Sequence, residues 1–133
     1  MGIFSNLFGN GELEELKETT KKWEKVLTPA YLVAWQEWLK KRDVVAAKLN
    51  LKEIEIERIT CREVIRYAIF SLKRTIGMTD TNKEQISKTR GNTKALQTLR
   101  MAMEEFSKYD QLVRKFISID SFDKEIAKVG NRR

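Results

Sequence analysis

The sequence predicts an all-α protein, a single-domain helical bundle of five or six helices. Its 133 residues match the length of one ordinary domain. Hydrophobic residues make up 41% and charged residues 34%, a balance typical of globular rather than disordered chains. One proline and six glycines leave few interruptions, which favours long helices. We divide the chain into an apolar N-terminal docking segment, residues 1–11, and a helical-bundle domain, residues 12–133.

The first two helices are predicted from their charges and start signals. Residues 12–26 are acidic at their beginning and basic at their end, the arrangement that the helix dipole favours. Thr28 and Pro29 together are typical of a helix start, because a capping hydroxyl precedes a proline in the first helical position. This second helix is predicted to continue to about Ala47.

An aromatic group on the second helix has two interpretations. Tyr31, Trp35 and Trp38 share one side of it, and Arg42 follows one turn later. These rings are expected to pack in the core, since a small bundle needs large side chains inside it. The alternative is that they stack on nucleic-acid bases, with the arginine adding a cation–π contact.

Residues 49–60 suit either a strand or a helix. The segment 54–57 alternates apolar and acidic residues as a strand does. We predict a helix, because a lone strand would have no partner elsewhere in the chain. The pattern Thr-Cys-Arg-Glu at 60–63 resembles a capping box and predicts a break or a new start there. The following helix is predicted to reach about Ile76 and to end at Gly77 in the left-handed conformation.

Three further helices are predicted, over residues 81–90, 93–118 and 120–130. The first is short and very polar, and it begins with a second capping-box pattern. The second carries a wide apolar stripe, which makes it the strongest helix prediction in the chain. The third is predicted to be capped by the Asp-Ser pair at 120–121 and closed by Gly130.

Histidine and the common catalytic, metal-binding and phosphate-loop motifs are absent, so we predict no enzymatic activity, no cofactor and no metal site. The chain has no histidine, which removes imidazole bases, imidazole ligands and histidine-activated nucleophiles. Its one cysteine, Cys61, lies on the apolar side of its helix and is expected to be buried. A lone cysteine also fits a reducing compartment, and no secretory signal is visible, so a cytoplasmic location is expected.

A basic stripe is the best positive indication of binding. The net charge is +7, and residues 58–133 hold seventeen Lys and Arg against nine Asp and Glu. On a continuous helix, Arg58, Arg62, Arg66 and Lys73 fall on one side. The planar guanidinium group of arginine can donate two parallel hydrogen bonds to a phosphate. The predicted polyanion-binding residues are Arg58, Arg62, Arg66, Lys73, Lys88, Arg90 and Lys94. The alternative is that these arginines pair internally, with Glu53, Glu55 and Glu57 and with neighbouring helices.

The N-terminal segment is the second positive feature. Its large apolar residues, which carry no charge among them, are Ile3, Phe4, Leu7 and Phe8. They are candidates for docking in the domain's own core, on a membrane surface or in a partner's groove.

Together these features predict a non-enzymatic helical binding module. Its basic face is expected to contact an acidic partner, with nucleic acid first and an acidic protein surface next. The alternative is an assembly or adaptor protein that docks on a membrane surface or a larger complex through residues 1–11. Peripheral membrane contact and homo-oligomer formation stay open, and no motif assigns the chain to a family.

Overall fold

The computed structural model describes residues 10–77 and 93–131. Within these ranges the chain forms five α-helices and no strand, which confirms the predicted all-α bundle. The helices are α1 (Asn10–Glu24), α2 (Pro29–Lys48), α3 (Glu53–Thr75), α4 (Thr93–Arg114) and α5 (Ile119–Asn131). The polar helix predicted over residues 81–90 lies outside the described residues.

Helix α3 is the centre of the bundle. It packs against α1, α2 and α4, while α5 lies against α2. Arg62 of α3 meets Asp110 of α4, and Phe70 lines a groove with Met103, so α3 and α4 run antiparallel. The core is continuous across the helices. Its largest fully buried apolar side chains are Trp23, Trp35, Ile65, Leu99, Val45, Val64 and Val113.

The ambiguous segment before residue 60 is helical, and the predicted break inside α3 is wrong. The helix begins at Glu53, where the backbone N–H of Lys52 donates to the Glu55 carboxylate at 2.9 Å. Thr60 does not cap a new helix. Its hydroxyl instead donates to the carbonyl of Ile56 one turn back at 2.7 Å, which satisfies it inside a continuous helix.

The ends of the helices agree with the predictions to within a few residues. Helix α1 begins two residues earlier than expected, and α2 begins at Pro29 as predicted. Thr28 makes no side-chain capping bond, although its N–H donates to the Ser71 hydroxyl at 3.2 Å. Gly77 follows α3 with a φ of 74°, the left-handed conformation that glycine adopts without strain.

The last two helices are separated earlier than the sequence suggests. Helix α4 ends at Arg114, and the backbone turns before α5 begins at Ile119. The Ser118 hydroxyl accepts from the backbone N–H of Ser121 at 3.3 Å, so Ser118 is the capping residue. The predicted cap at 120–121 is therefore inside α5, and so is Gly130.

The aromatic group of α2 packs in the core rather than offering rings to bases. Trp35 and Trp38 are buried and stacked, with ring centroids 5.1 Å apart. The indole N–H of Trp35 donates to the Glu24 carboxylate at 2.8 Å. Tyr31 is half-buried, and its ring lies 6.2 Å from that of Phe70 on α3.

Candidate anion-binding groove

The structure divides the predicted basic stripe of α3 into cations used internally and cations near the surface. Arg58 belongs to the first group. It binds Glu12 of α1 through two hydrogen bonds, from Nε at 2.7 Å and from the second guanidinium nitrogen at 2.9 Å. Arg58 lowers the pKa of the Glu12 carboxyl through these bonds. Arg58 therefore fastens α1 to α3 instead of facing a partner.

Arg62 is also committed to internal pairing. Its side chain is only 9% exposed, and its Nε donates to Oδ1 of Asp110 on α4 at 2.7 Å. A second nitrogen reaches the Glu63 carboxylate at 3.4 Å, and the guanidinium lies 4.8 Å from the Phe106 ring centroid. A buried guanidinium is costly unless it is paired, so these contacts are structural.

Glu63 connects the two groups of cations. Its carboxylate is buried, and burial raises its pKa even though Arg66 and Arg62 act to lower it. Arg66 donates to Glu63 at 2.7 Å, and Arg114 donates to Asp110 at 2.9 Å. These bonds form a chain of alternating charge, in the order Arg66, Glu63, Arg62, Asp110 and Arg114. Three guanidinium groups share two carboxylates, so the chain keeps one excess positive charge.

Arg66 and Lys73 are the stripe residues that stay accessible at the α3–α4 groove. The Arg66 side chain is 46% exposed, and its guanidinium lies 5.1 Å from the Phe70 ring centroid. Lys73 is half-buried, with its ammonium 5.9 Å from the same ring. Among the described residues Lys73 has no carboxylate partner. Both cations thus rest on one phenylalanine, one turn away from it on either side.

These cations border a groove between α3 and α4 that we call the basic groove. Its cavity volume is about 370 Å³, within the range of ligand-binding clefts. The lining residues are Arg62, Arg66, Ile69, Phe70, Lys73, Met103 and Phe106. An apolar lining beside two accessible cations suits a ligand that carries apolar and anionic groups together.

The remaining predicted site residues do not join the basic groove. Lys94 is exposed near the start of α4 and is not part of the lining. Two predicted cations, Lys88 and Arg90, lie outside the described residues. So do the predicted docking residues, Ile3, Phe4, Leu7 and Phe8.

The apolar members of the groove were missed by sequence reasoning. Met103 and Phe106 lie on the apolar stripe of α4, and both are only half-buried. Phe70 is four residues after Arg66 and three before Lys73, the spacing that puts side chains in contact on a helix. That spacing is the signal from which a cation–aromatic surface could have been predicted.

The described residues hold no candidate metal site, and their cysteine is buried. They contain no group of three acidic or cysteine side chains placed to hold a metal ion. Cys61 is fully buried, and burial raises its pKa to about 12, which disfavours the reactive thiolate. No helix among residues 10–77 and 93–131 is long and apolar enough to cross a membrane. No protein-family model, curated protein or solved structure matches the chain.

Proposed function

We propose that the protein is a non-enzymatic binding module whose basic groove contacts an acidic partner. The observation that carries this proposal is the position of Arg66 and Lys73, both accessible beside an apolar lining. An ion pair formed there is partly shielded from water, which strengthens it relative to a fully exposed pair. The excess of positive charge after residue 58 adds long-range attraction for an acidic molecule.

Of the acidic partners expected from the sequence, the groove favours a protein surface over nucleic acid. Internal pairing of Arg58 and Arg62 removes two of the four cations that would have followed a phosphate backbone. The accessible aromatic faces are also occupied, since Arg62 covers Phe106, and Arg66 covers Phe70. Bases would have to displace these cations before they could stack.

Retention on immobilised heparin tests whether anion binding is localised at the groove. The double variant Arg66→Gln with Lys73→Gln removes two charges, and the glutamine amide can still donate to Glu63. The matched control is Lys21→Gln with Lys25→Gln, which removes two charges from exposed positions, one in the last turn of α1 and one just after it. We expect the groove variant to elute at distinctly lower salt than the control. Equal elution of the two variants, with both still folded by circular dichroism, would reject a localised groove site.

The alternative expectation, an assembly or adaptor protein, concerns residues outside the described ranges and stays a prediction. Deleting residues 1–9 leaves α1 intact from its first residue, Asn10. Co-sedimentation with vesicles rich in anionic lipid, measured with and without this deletion, tests docking by the apolar segment. Undiminished co-sedimentation of the shortened chain would count against that alternative.

A further inference from the structure

We infer that the basic groove binds an amphipathic helix of an acidic protein partner. The helix would place apolar side chains on the groove lining and two carboxylates, two turns apart, on Arg66 and Lys73. This inference rests on the proposed function and adds the partner's chemical class and its register.

The shape of the groove favours a helix as the occupant. Two long antiparallel helices form its walls, and all of its lining residues belong to α3 or α4. Helix α1 already packs against α3 from another side, and its side chains reach α4. There, Trp23 donates to Glu105 of α4 at 3.0 Å, and Cys61 of α3 approaches the Leu16 carbonyl at 3.8 Å. A bound helix would repeat this three-helix packing on the open side.

The spacing of the cations sets the register of the partner. Lys73 follows Arg66 by seven residues on one continuous helix, which corresponds to about 10 Å along the axis. Two carboxylates seven residues apart on a bound helix stand at the same separation. Between the cations lie Ile69 and Phe70, which meet apolar side chains placed three or four residues apart on the partner.

The donors left on the two cations suit carboxylates. Arg66 uses one terminal nitrogen for Glu63 at 2.7 Å, and within residues 10–77 and 93–131 the rest of its guanidinium fork makes no other hydrogen bond. Lys73 offers three ammonium donors and has no carboxylate partner among the described residues. Each cation also rests on the Phe70 ring, which limits its freedom before binding and reduces the entropy lost on binding.

Fluorescence anisotropy with three labelled peptides of about 18 residues, long enough for five helical turns, tests the inference. The first is an amphipathic helix with leucines on one face and glutamates seven residues apart beside them. The second replaces these glutamates with lysine, and the third scrambles the first so that the apolar face is lost. We expect the first peptide to bind the full chain at least about tenfold more tightly than either of the others.

Two variants on α4 test whether the peptide binds in the groove. Met103→Glu puts a negative charge into the groove lining, and we expect it to weaken binding of the first peptide by about tenfold or more. Met101→Glu is the matched control, because Met101 is 48% exposed, lies on the same helix and is outside the groove. Circular dichroism of both variants verifies that the fold is retained.

Three results would overturn the inference. They are equal binding of the lysine or the scrambled peptide, no binding of the first peptide, and equal effects of the Met101 and Met103 substitutions. Tight binding of a labelled oligo-dT strand that Met103→Glu abolishes would assign the groove to nucleic acid instead. If heparin retention depends on Arg66 and Lys73 but the first peptide does not bind, the proposed function stands and the helical partner is rejected. If heparin retention does not depend on Arg66 and Lys73 and the first peptide does not bind, both proposals fail.

Discussion

Arg62 donates from Nε to Oδ1 of Asp110 at 2.7 Å, and this bond joins α3 to α4 beside the basic groove. The Arg62 side chain is 9% exposed and that of Asp110 is 22% exposed, so the pair is largely removed from water. Burial acts to raise the pKa of Asp110, but the hydrogen bonds and positive charges of Arg62 and Arg114 together lower it below its ordinary value. Arg62 was predicted from the sequence to bind a polyanion, whereas in the fold its guanidinium joins two helices.

Removing the carboxylate of Asp110 is expected to destabilise the protein. Among the described residues, Asp110→Ala leaves the buried Arg62 with Glu63, at 3.4 Å, as its one carboxylate partner, and we expect the free energy of unfolding to fall by about 2–3 kcal/mol. Arg114→Ala is the control. Its side chain is 59% exposed, so its loss should cost less than about 0.5 kcal/mol. Urea titrations of both variants measure the difference, and equal losses would contradict the structural role of the Arg62–Asp110 bond.

The Glu12–Arg58 pair is expected to contribute stability near neutral pH and none in acid. The folded pKa of Glu12 is below the ordinary 4.5, so its contribution is present above pH 4.5 and is lost as the pH falls through the folded value. We expect Glu12→Gln to lower the free energy of unfolding by about 0.5–1 kcal/mol at neutral pH, because the pair is partly exposed. Urea unfolding of the variant and the parent at pH 7 and pH 3 tests this. A difference that persists unchanged at pH 3 would be inconsistent with the ion pair.

Glu63 is expected to show the opposite dependence on pH. Burial raises its folded pKa above 4.5, so its contribution to stability is fully present below pH 4.5 and is lost as the pH rises through the folded value. The free energy of unfolding of the parent, relative to Glu63→Gln, should therefore fall as the pH rises from 4. The same urea titrations, repeated across this range, measure that difference. A relative stability that rises with pH would show that pairing with Arg66 outweighs burial.

Cys61 is expected to be unreactive until the protein unfolds. It is fully buried, and burial raises its pKa to about 12, so both access and thiolate formation oppose alkylation. Iodoacetamide labelling followed by mass spectrometry should proceed far more slowly in native buffer than in denaturant, where the single thiol reacts completely. Labelling at the same rate in both conditions would place the thiol at the surface.

The cap of α5 can be assigned by two alanine substitutions. Ser118→Ala removes the hydroxyl that accepts the backbone N–H of Ser121, and we expect a loss of about 1 kcal/mol in the free energy of unfolding. Ser121→Ala leaves that bond intact at an exposed position and should cost less than about 0.5 kcal/mol. Thermal or urea unfolding distinguishes them. A larger loss of unfolding free energy for Ser121→Ala than for Ser118→Ala would instead support the cap expected at 120–121.

The sequence predicted the helices better than it predicted the boundaries between them. Thr60 and Ser121 both follow patterns that favour a helix start, yet Thr60 lies inside α3 and Ser121 lies in the first turn of α5. A serine or threonine hydroxyl can cap a helix start, or it can bond to a carbonyl one turn back inside a helix. Which of the two it does depends on the course of the backbone around it. Local patterns therefore define where helices form more firmly than where they begin.

The candidate site could be predicted only in part. The positions of Arg62, Arg66 and Lys73 on one side of α3 follow from helical spacing and are found in the groove lining. The apolar half of the groove could not be predicted, because whether Phe106 is covered or left open depends on how closely two helices pack. Apolar residues of the same stripe on α4 have different places: Leu99 and Val113 are in the core, whereas Met103 and Phe106 line the groove.

The sequence alone determined the all-α class, the order of the described helices and the side of each helix that is apolar. These properties follow from side chains three and four residues apart, whose relation is fixed once a helix forms. The tertiary structure alone decided which cations of α3 are paired with carboxylates of other helices. The partners of Arg58 and Arg62 are 46 and 48 residues distant along the chain, and only the packing of α1 and α4 against α3 brings those carboxylates within hydrogen-bonding distance.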